Sequence, residues 1–296
     1  MYFYMSCSIC SCSEVEFFLK SDVYGFDVYR CKNCGVLFRY PLPSNEEVVS
    51  FYDEGYYLGS SKYSYIDERK VKGSELVWEM RIKKLIQIFE MENHRKPKNI
   101  LDVGCSFGGL LEVARNKFGL IPVGVEVSEY SSSYAIERGI EVIKGSIESV
   151  EVGNDRFDII TMIEVIEHLK HPYEVLKKIF DANTKGGILL VQTANIDGIQ
   201  SKFWGGKYHY YLPGHLHYFS NKTLRNLIFE AGYSKVYEFY PVEFGLLPKV
   251  VKVFLNNRGM SRMLKVLKTI TYHLLGKVRI GDITLMSSMV MVGVKS

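Results

Sequence analysis

The stretch Ile100-Leu101-Asp102-Val103-Gly104-Cys105-Ser106-Phe107-Gly108-Gly109 decides the fold. An apolar segment runs into a glycine loop, and a second apolar segment, Val123–Glu126, ends on a carboxylate 18 positions after Gly108. The glycines let the backbone turn tightly and approach a ligand closely. A helix that begins near Gly108 would direct unpaired N–H groups toward that ligand. The pattern predicts a strand, a cofactor-binding loop and a helix of an α/β sheet.

Two carboxylates indicate which cofactor the loop would bind. The dinucleotide fingerprint G-x-G-x-x-G seats a pyrophosphate, whereas this loop reads Gly104-x-Ser106-x-Gly108 and follows Asp102. A carboxylate there would repel a pyrophosphate but suits the ammonium and sulfonium groups of S-adenosylmethionine. We predict that Asp102, Gly104, Ser106 and Gly108 line the methionine part, and that Glu126 accepts hydrogen bonds from the ribose. The alternative, an NAD-linked oxidoreductase, is disfavoured by the loop spacing.

Three segments resemble class I S-adenosylmethionine-dependent methyltransferases. Residues 101–109 resemble motif I, residues 157–169 the "FDvv…evlEHl" segment, and residues 217–233 the "HyFs…tL…aGf" segment. The resemblance implies methyl transfer on a Rossmann-like seven-stranded sheet, with helices on both faces and an antiparallel last strand. Further candidates for cofactor binding are Ser146 and Ile147 at the adenine edge and Ile163 through its backbone.

Alternating strand and helix patterns predict the elements of this sheet. We expect strands at 99–103, 121–126, 140–143, 157–163, 187–193, 235–241 and 284–294. We expect helices at 76–91, 108–118, 129–138, 172–182 and 220–231. Gly186 and Gly187 are predicted to end the fourth of these strand-linking helices before the next strand.

Two cysteine pairs precede this domain. Cys7-Ser-Ile-Cys10 and Cys31-Lys-Asn-Cys34 are separated by 20 residues, a spacing typical of a Cys₄ zinc ribbon. Such a small segment would take most of its folding energy from the metal. Four protein ligands leave no open position, so Zn²⁺ would be structural. A pair of disulfides is the alternative, which a cytosolic setting disfavours, and Cys12 could compete with Cys10.

The order of the segments suggests the domain organisation and the substrate. We predict a zinc-ribbon-like module at 1–45, an aromatic-rich linker or lid with the first helix at 46–96, and the methyltransferase domain at 97–296. This layout resembles sugar methyltransferases of deoxysugar and surface-polysaccharide pathways. The tyrosine-rich residues 51–66 would either lie over the cofactor or form a seam between the two domains.

Two histidines follow predicted strands at the edge where ligands bind in such sheets. His168 follows the fourth strand and His215 lies after the fifth, and a neutral imidazole suits proton removal. Residues 208–219 are similar to the "YHEHLsYFs" segment of zinc-module sugar C-methyltransferases, which implies that His215 is the base. Gly214 replaces the glutamate and Leu212 a tyrosine, so O-methylation is at least as well supported as C-methylation. A structural role is the alternative for His168. His209 and His217 are interpreted as loop or packing residues.

Composition and charge limit the classes of partner that the sequence predicts. The 296 residues are 47% hydrophobic with a net charge of +4, which does not indicate nucleic-acid binding. There is no apolar run of the ~20 residues that cross a bilayer, and we expect a cytoplasmic protein. Residues 244–281 hold eight Lys or Arg and no Asp or Glu. Leu264, Leu267, Ile270 and Leu274 share a helical face there.

This basic insert has two interpretations. It would contact the inner membrane surface peripherally, or serve as a lid or dimer helix. The predicted substrate is a small molecule, a sugar nucleotide or a lipid-linked glycan. The alternatives are a quinone or lipid methyltransferase at the membrane surface, and a non-catalytic cofactor-binding interaction protein.

Overall fold

Seven strands form the central sheet in the computed structural model, which describes residues 5–44, 47, 67–276, 278–280 and 283–296. The tyrosine-rich stretch 51–66 lies outside the described residues. The strands are β1 (Val15–Lys20), β2 (Asp27–Cys31), β3 (Leu37–Tyr40), β4 (Asn99–Val103), β5 (Ile121–Glu126), β6 (Glu141–Lys144), β7 (Phe157–Ile163), β8 (Asn183–Ala194), β9 (His217–Tyr218), β10 (Lys235–Phe239), β11 (Arg279–Ile280), β12 (Ile283–Thr284) and β13 (Ser288–Val294). The α-helices are α1 (Ser74–Asn93), α2 (Gly109–Phe118), α3 (Glu129–Glu137), α4 (Pro172–Ala182), α5 (Ile199–Trp204), α6 (Asn221–Glu230), α7 (Leu246–Leu255) and α8 (Gly259–Leu275).

The central sheet has the predicted topology. Its order is β10-β13-β8-β7-β4-β5-β6, and β6, β5, β4, β7 and β8 run parallel. The strand β13 runs antiparallel to both β8 and β10. The predicted α/β class, with a mixed seven-stranded sheet and a small N-terminal sheet, is confirmed. The carboxyl ends of β4, β5, β7 and β8 therefore meet at one edge, where ligands bind in such sheets.

Two predicted boundaries were wrong. Helix α4 ends at Ala182 and β8 begins at Asn183, so Gly186 and Gly187 lie within the strand instead of ending the helix. Gly186 has a φ of +76°, and its carbonyl accepts from Nδ2 of Asn93 at 2.8 Å. The pairing register with β7 shifts in the same region. The glycines thus allow an irregularity inside the strand. The last strand begins at Ser288, not at 284.

The N-terminal cysteine segment forms a second sheet that the main domain completes. The sheet order is β1-β2-β3-β9, and β9 comes from the loop after β8. Leu37 pairs with Tyr218 and Phe38 with His217. Buried Cys7, Cys31 and Phe38 belong to the same apolar cluster as Leu101 of β4. The two sheets therefore share one hydrophobic core.

Helices α7 and α8 form a hairpin between β10 and β13. Because β10 ends and β13 begins at the edge of the sheet that holds the carboxyl ends of β4, β5, β7 and β8, the hairpin rises from that edge. Leu264, Leu267 and Leu274 are exposed and Ile270 is half-buried, so the predicted apolar face of α8 points mostly outward. Among the described residues, no helix has the length and apolar character needed to cross a membrane.

Candidate functional site

The loop between β4 and α2 has the tight geometry that its glycines predicted. Gly104 and Gly108 have φ values of +73° and +77°, a region that side chains disfavour. A Cβ on Gly104 would lie 2.6 Å from Cγ2 of Val165. Ser106 also has a positive φ, +50°, which is uncommon for a residue other than glycine. The first N–H groups of α2 open onto this loop.

Glu126 closes the loop from the neighbouring strand. Its side chain is buried, and its two oxygens accept hydrogen bonds from the backbone N–H groups of Ser106 at 2.8 Å and Ser128 at 2.9 Å. These contacts fix the carboxylate at the carboxyl end of β5. A carboxylate oxygen has more than one acceptor position, so Glu126 can still receive ribose hydroxyls.

The remaining predicted cofactor residues lie around the same sheet edge. Asp102 is buried at the end of β4 and accepts a hydrogen bond from the Thr161 hydroxyl at 2.6 Å. Ile163 is half-buried at the end of β7. Ser146 and Ile147 follow β6, and the Ser146 hydroxyl accepts from the backbone of Glu148. The structure thus brings all the predicted cofactor residues to the carboxyl ends of β4 to β7.

An arginine stacked on the loop was missed by sequence reasoning. The Arg69 guanidinium lies 3.8 Å from the ring centroid of Phe107, with Tyr134 at 4.8 Å. It also donates to the Tyr130 hydroxyl and pairs with Asp67 at 2.9 Å. Cation–π contacts of this kind hold a segment against a loop. The segment that follows residue 66 therefore covers the cofactor loop from one side.

A buried cluster joins the two predicted catalytic histidines to a carboxylate. One donor atom from each of Glu167, His168 and His215 lies within 4.8 Å of the others. The two imidazole rings pack edge to face, with centroids 4.6 Å apart. Glu167 and His168 come from the turn after β7, whereas His215 comes from the loop after β8. These are donor types that also suit a divalent cation.

Hydrogen bonds fix the tautomer of both rings. Nδ1 of His168 contacts the carbonyl of Gly214, and Nδ1 of His215 contacts the carbonyl of Tyr210, each at 2.8 Å. A carbonyl only accepts, so each Nδ1 carries the proton and each Nε2 carries the lone pair. Burial lowers the pKa of His168 to about 4 and that of His215 well below its ordinary value. Both rings are therefore neutral at pH 7.

Polar atoms without well-placed hydrogen-bond partners surround the cluster. Both carboxyl oxygens of Glu167 and the hydroxyl of Tyr208 are buried without a hydrogen-bond partner of normal geometry among the described residues, although the Glu167 carboxyl lies near the side chains of Glu164 and Thr193. Burial raises the pKa of Glu167 well above its ordinary value, and the nearby Glu164 raises it further. Glu167, Tyr208 and His215 line one small cavity. Because unpaired buried polar groups are costly, this small cavity suits a single polar group, such as one hydroxyl or a water.

A second polar chain links this cluster to helix α1. The buried Arg81 donates to Oε1 of Gln192 at 2.7 Å, and Nε2 of Gln192 donates to Glu164 at 2.9 Å. Glu164 has a φ of +54° directly after β7, and strained backbone often accompanies function. Sequence reasoning missed these residues. The available signal was Arg81, a cation among the buried positions of α1, which include Ile82, Leu85, Ile88 and Phe89.

The four predicted zinc ligands converge. Sulfur atoms of Cys7 and Cys34 lie 3.6 Å apart, and those of Cys10 and Cys31 lie 3.5 Å apart. All four sulfurs lie within 4.8 Å of one another, as tetrahedral Zn²⁺ ligation requires. The sulfurs are reduced thiols, not disulfides. The hydrogen bond between the two thiols lowers the pKa of Cys7 and raises that of Cys34, so Zn²⁺ would displace the remaining thiol protons as it binds. Cys12 is not part of this group.

The cysteine module contacts the loop that carries His215. Ser8 lies between two cysteines, and its Oγ is 2.6 Å from Nε2 of His217. The Arg39 backbone N–H donates to Leu216 at 3.0 Å, and the Leu216 N–H donates to Glu167 at 2.7 Å. His217, interpreted as a packing residue, is thus one of the links between the cysteine module and the main domain. The module supports the backbone on both sides of the histidine cluster.

Comparisons with known proteins agree with this geometry. Residues 77–238, more than half of the chain, match the family model described as a methyltransferase domain. A ubiquinone biosynthesis O-methyltransferase of Coxiella burnetii is 33% identical over 132 residues, which cover 43% of this chain and 54% of that relative. The chain thus spans about half the length of the curated relatives it matches.

Solved structures share the fold. A phosphoethanolamine N-methyltransferase of Haemonchus contortus, bound to S-adenosylhomocysteine, has a TM-score of 0.52 at 18% identity; the match covers 88% of this chain and 62% of that one. The plantazolicin methyltransferase BamL has a TM-score of 0.54 at 12% identity, covering 84% of this chain and 97% of that one.

Proposed function

Since the chain belongs to the methyltransferase domain family, we propose that it transfers a methyl group from S-adenosylmethionine to a hydroxyl of a small acceptor. The observation that carries this proposal is the pair of neutral imidazoles at the cofactor edge of the sheet. Their lone pairs lie beside buried polar atoms that have no hydrogen-bond partner of normal geometry among the described residues. A hydroxyl acceptor needs such a site, because its proton must leave as the new bond forms.

One set of residues would hold the cofactor, and His215 would deprotonate the acceptor. The sulfonium cofactor supplies an electrophilic methyl group when bound. Asp102 and the Gly104–Gly108 loop would hold its methionine part, and Glu126 its ribose. Ser146, Ile147 and the backbone of Ile163 would border the adenine. His215 would receive the hydroxyl proton at Nε2, while the carbonyl of Tyr210 keeps its ring oriented. Alignment of the acceptor with the methyl group supplies much of the rate.

We favour a sugar or glycan intermediate as the acceptor. The unpaired oxygens of Glu167 and Tyr208 provide hydrogen-bonding partners for one hydroxyl group. The layout with a cysteine module ahead of the methyltransferase domain resembles sugar methyltransferases, and this module contacts the loop that carries His215. Gly214 replaces the glutamate of the C-methyltransferase segment, which makes O-methylation at least as well supported as C-methylation, although the carboxyl of Glu167 lies near His215. Zinc in the Cys₄ site would hold the module in shape.

A quinone or another lipid is the second candidate acceptor. The curated relatives carry the name ubiquinone biosynthesis O-methyltransferase. The α7–α8 hairpin exposes apolar side chains at the same edge of the sheet, which would suit an acceptor with an apolar tail.

Radiolabelled methyl transfer tests the proposal. The full chain is incubated with methyl-labelled S-adenosylmethionine and with sugar nucleotides, lipid-linked sugars or catechol-bearing quinone precursors. Label is expected in an oxygen-linked methyl group of one acceptor class. Tight S-adenosylhomocysteine binding with no transfer to any class would instead support the non-catalytic reading. Label on carbon would overturn the O-methylation proposal.

A further inference from the structure

Helix α8 carries an exposed apolar stripe. Met260, Met263, Leu264, Leu267 and Leu274 follow helical spacing. Met263 is 73% exposed and Leu267 62% exposed. Leu247, Phe254 and Leu255 of α7 add further exposed apolar surface. A contiguous exposed patch of this kind marks an interaction surface in a folded chain.

The orientation of α8 is fixed by its inward face. The Tyr272 hydroxyl hydrogen-bonds Oγ of Ser287 at 2.9 Å, and His273 is buried. Nε of Arg262 donates to the Asn257 carbonyl at 2.7 Å, and its guanidinium lies over the ring of Phe254. These polar contacts hold the opposite side of the helix against the protein. The apolar stripe points outward, since the opposite side of the helix makes these contacts with the rest of the protein.

Positive charge borders the stripe. Lys268 is exposed and follows Leu264 by four residues, so it lies beside the stripe on the helix surface, and residues 244–281 contain no carboxylate. Pairing between two copies of the chain through this stripe would bring like charges together, with no acidic group of the insert to neutralise them. An anionic lipid surface instead offers an apolar layer for the stripe and phosphates for Lys268.

We propose that the outward face of α8 docks onto an anionic phospholipid surface, with Met263 and Leu267 at its centre and Lys268 on the lipid phosphates. The hairpin rises from the sheet edge that carries the cofactor loop and His215. Docking would thus present this edge to the membrane. The inference deepens the proposed function by favouring an acceptor that is itself held in the lipid, and in this respect it rests on that function.

Vesicle co-sedimentation of the full chain tests the docking. The wild type is expected to pellet with vesicles of phosphatidylcholine mixed with phosphatidylglycerol at low salt, and much less with phosphatidylcholine alone or at high salt. The Met263→Asp/Leu267→Asp double variant should lose at least roughly tenfold in partitioning. Lys268→Glu should lose roughly fivefold in partitioning, specifically on anionic vesicles.

Matched controls use exposed residues elsewhere. Phe229→Asp on α6 and Lys177→Glu on α4 should partition like the wild type. All variants should bind S-adenosylhomocysteine normally, since none of these residues lies at the cofactor loop.

Two results would overturn the docking proposal. In the first, the wild type stays in the supernatant with anionic vesicles at low salt. In the second, Met263→Asp/Leu267→Asp converts a dimer to a monomer in sedimentation velocity without changing vesicle binding, which would make the stripe an interface between copies. Vesicle binding is read without any acceptor, so its failure leaves methyl transfer untouched. Conversely, intact binding without methyl transfer would refute only the proposed function.

Discussion

The imidazole ring of His168 packs edge to face against that of His215, and each ring donates a hydrogen bond from its Nδ1–H to a backbone carbonyl. Both lone pairs therefore belong to Nε2 atoms within one buried cluster. A positive charge on either ring would raise the cost of protonating the other. The pair is thus suited to hold a single proton, which is what one methyl transfer to a hydroxyl would release.

Replacing His215 by alanine is expected to slow methyl transfer by about 10²–10⁴-fold, the range for loss of a general base. Cofactor affinity should stay within about twofold, because His215 is not among the residues predicted to hold the cofactor. Initial rates with labelled cofactor and calorimetry with S-adenosylhomocysteine measure the two quantities. His209→Ala, an exposed histidine of the same loop, is the control and should keep the wild-type rate. A wild-type rate for His215→Ala would remove this residue from the mechanism.

The Glu167→Gln variant is expected to be more stable than the wild type, by a difference in unfolding free energy that grows as the pH rises. Burial raises the pKa of Glu167 in the folded state, whereas the unfolded chain titrates near 4.5. Above that pH, the unfolded state binds fewer protons, so the wild type loses about 1.4 kcal/mol of unfolding free energy per pH unit until the folded pKa is reached. Glutamine cannot ionise and escapes this loss. Urea unfolding between pH 5 and pH 8 measures the difference.

Glu230→Gln, an exposed change on α6, provides the comparison and should show no such trend. A Glu167→Gln variant that becomes less stable than the wild type as the pH rises would contradict the prediction. That result would indicate an ionised Glu167 beside a bound cation. Repeating the measurement with a chelator would then restore the predicted trend.

Glu126→Ala is expected to weaken S-adenosylhomocysteine binding at least tenfold, since hydrogen bonds to a charged group contribute about 1.5–3 kcal/mol each. The carboxylate also ties the backbone of Ser106 to that of Ser128, so thermal unfolding must accompany the calorimetry. Glu129→Ala, an exposed carboxylate on α3, is the matched control. Unchanged affinity in Glu126→Ala would refute the ribose assignment.

Elemental analysis is expected to find one zinc per chain, and Cys31→Ser should lose it because a tetrahedral site needs all four sulfurs. Cys12→Ser should retain the metal, since this thiol lies outside the group. Loss of zinc from Cys12→Ser but not from Cys31→Ser would show that the ligand set is different.

Zinc removal is also expected to loosen the histidine loop. The Leu216 carbonyl accepts from Arg39 of β3, and Leu216 donates to Glu167. Amide hydrogen exchange at Leu216–Tyr218 should therefore quicken in Cys31→Ser, while exchange in β4 and β5 stays slow. Equal protection of both regions would show that the loop holds its shape without the metal.

Local sequence patterns predicted the central sheet well. Apolar runs such as Phe157–Ile163 and Ile100–Val103 are fully or largely buried strands, and Pro172 begins its helix as predicted. The fold follows from such short-range signals because parallel strands buried on both faces must be nearly continuous in apolar residues.

Long-range contacts could not be predicted in the same way. Arg81 is a polar residue on an apolar helix face; its partner Gln192 lies in β8, and Glu164, which hydrogen-bonds to Gln192, follows β7. The pairing of β3 with β9 likewise has no local signal, since two residues carry no strand periodicity. The prediction for Gly186 was wrong because a glycine inside a strand and a glycine that ends a helix give the same sequence signal. The two are distinguished only by the pairing register of β8 with β7.

The hydrogen bond between Ser8 and His217 joins residues 209 positions apart. During synthesis, the cysteine segment leaves the ribosome long before β9, so the edge of β3 stays open while most of the larger sheet is being made. Metal capture could occur early, but docking of the module must wait for its distant strand. Grafting this module onto another enzyme would therefore require transplanting the His217–Tyr218 strand as well.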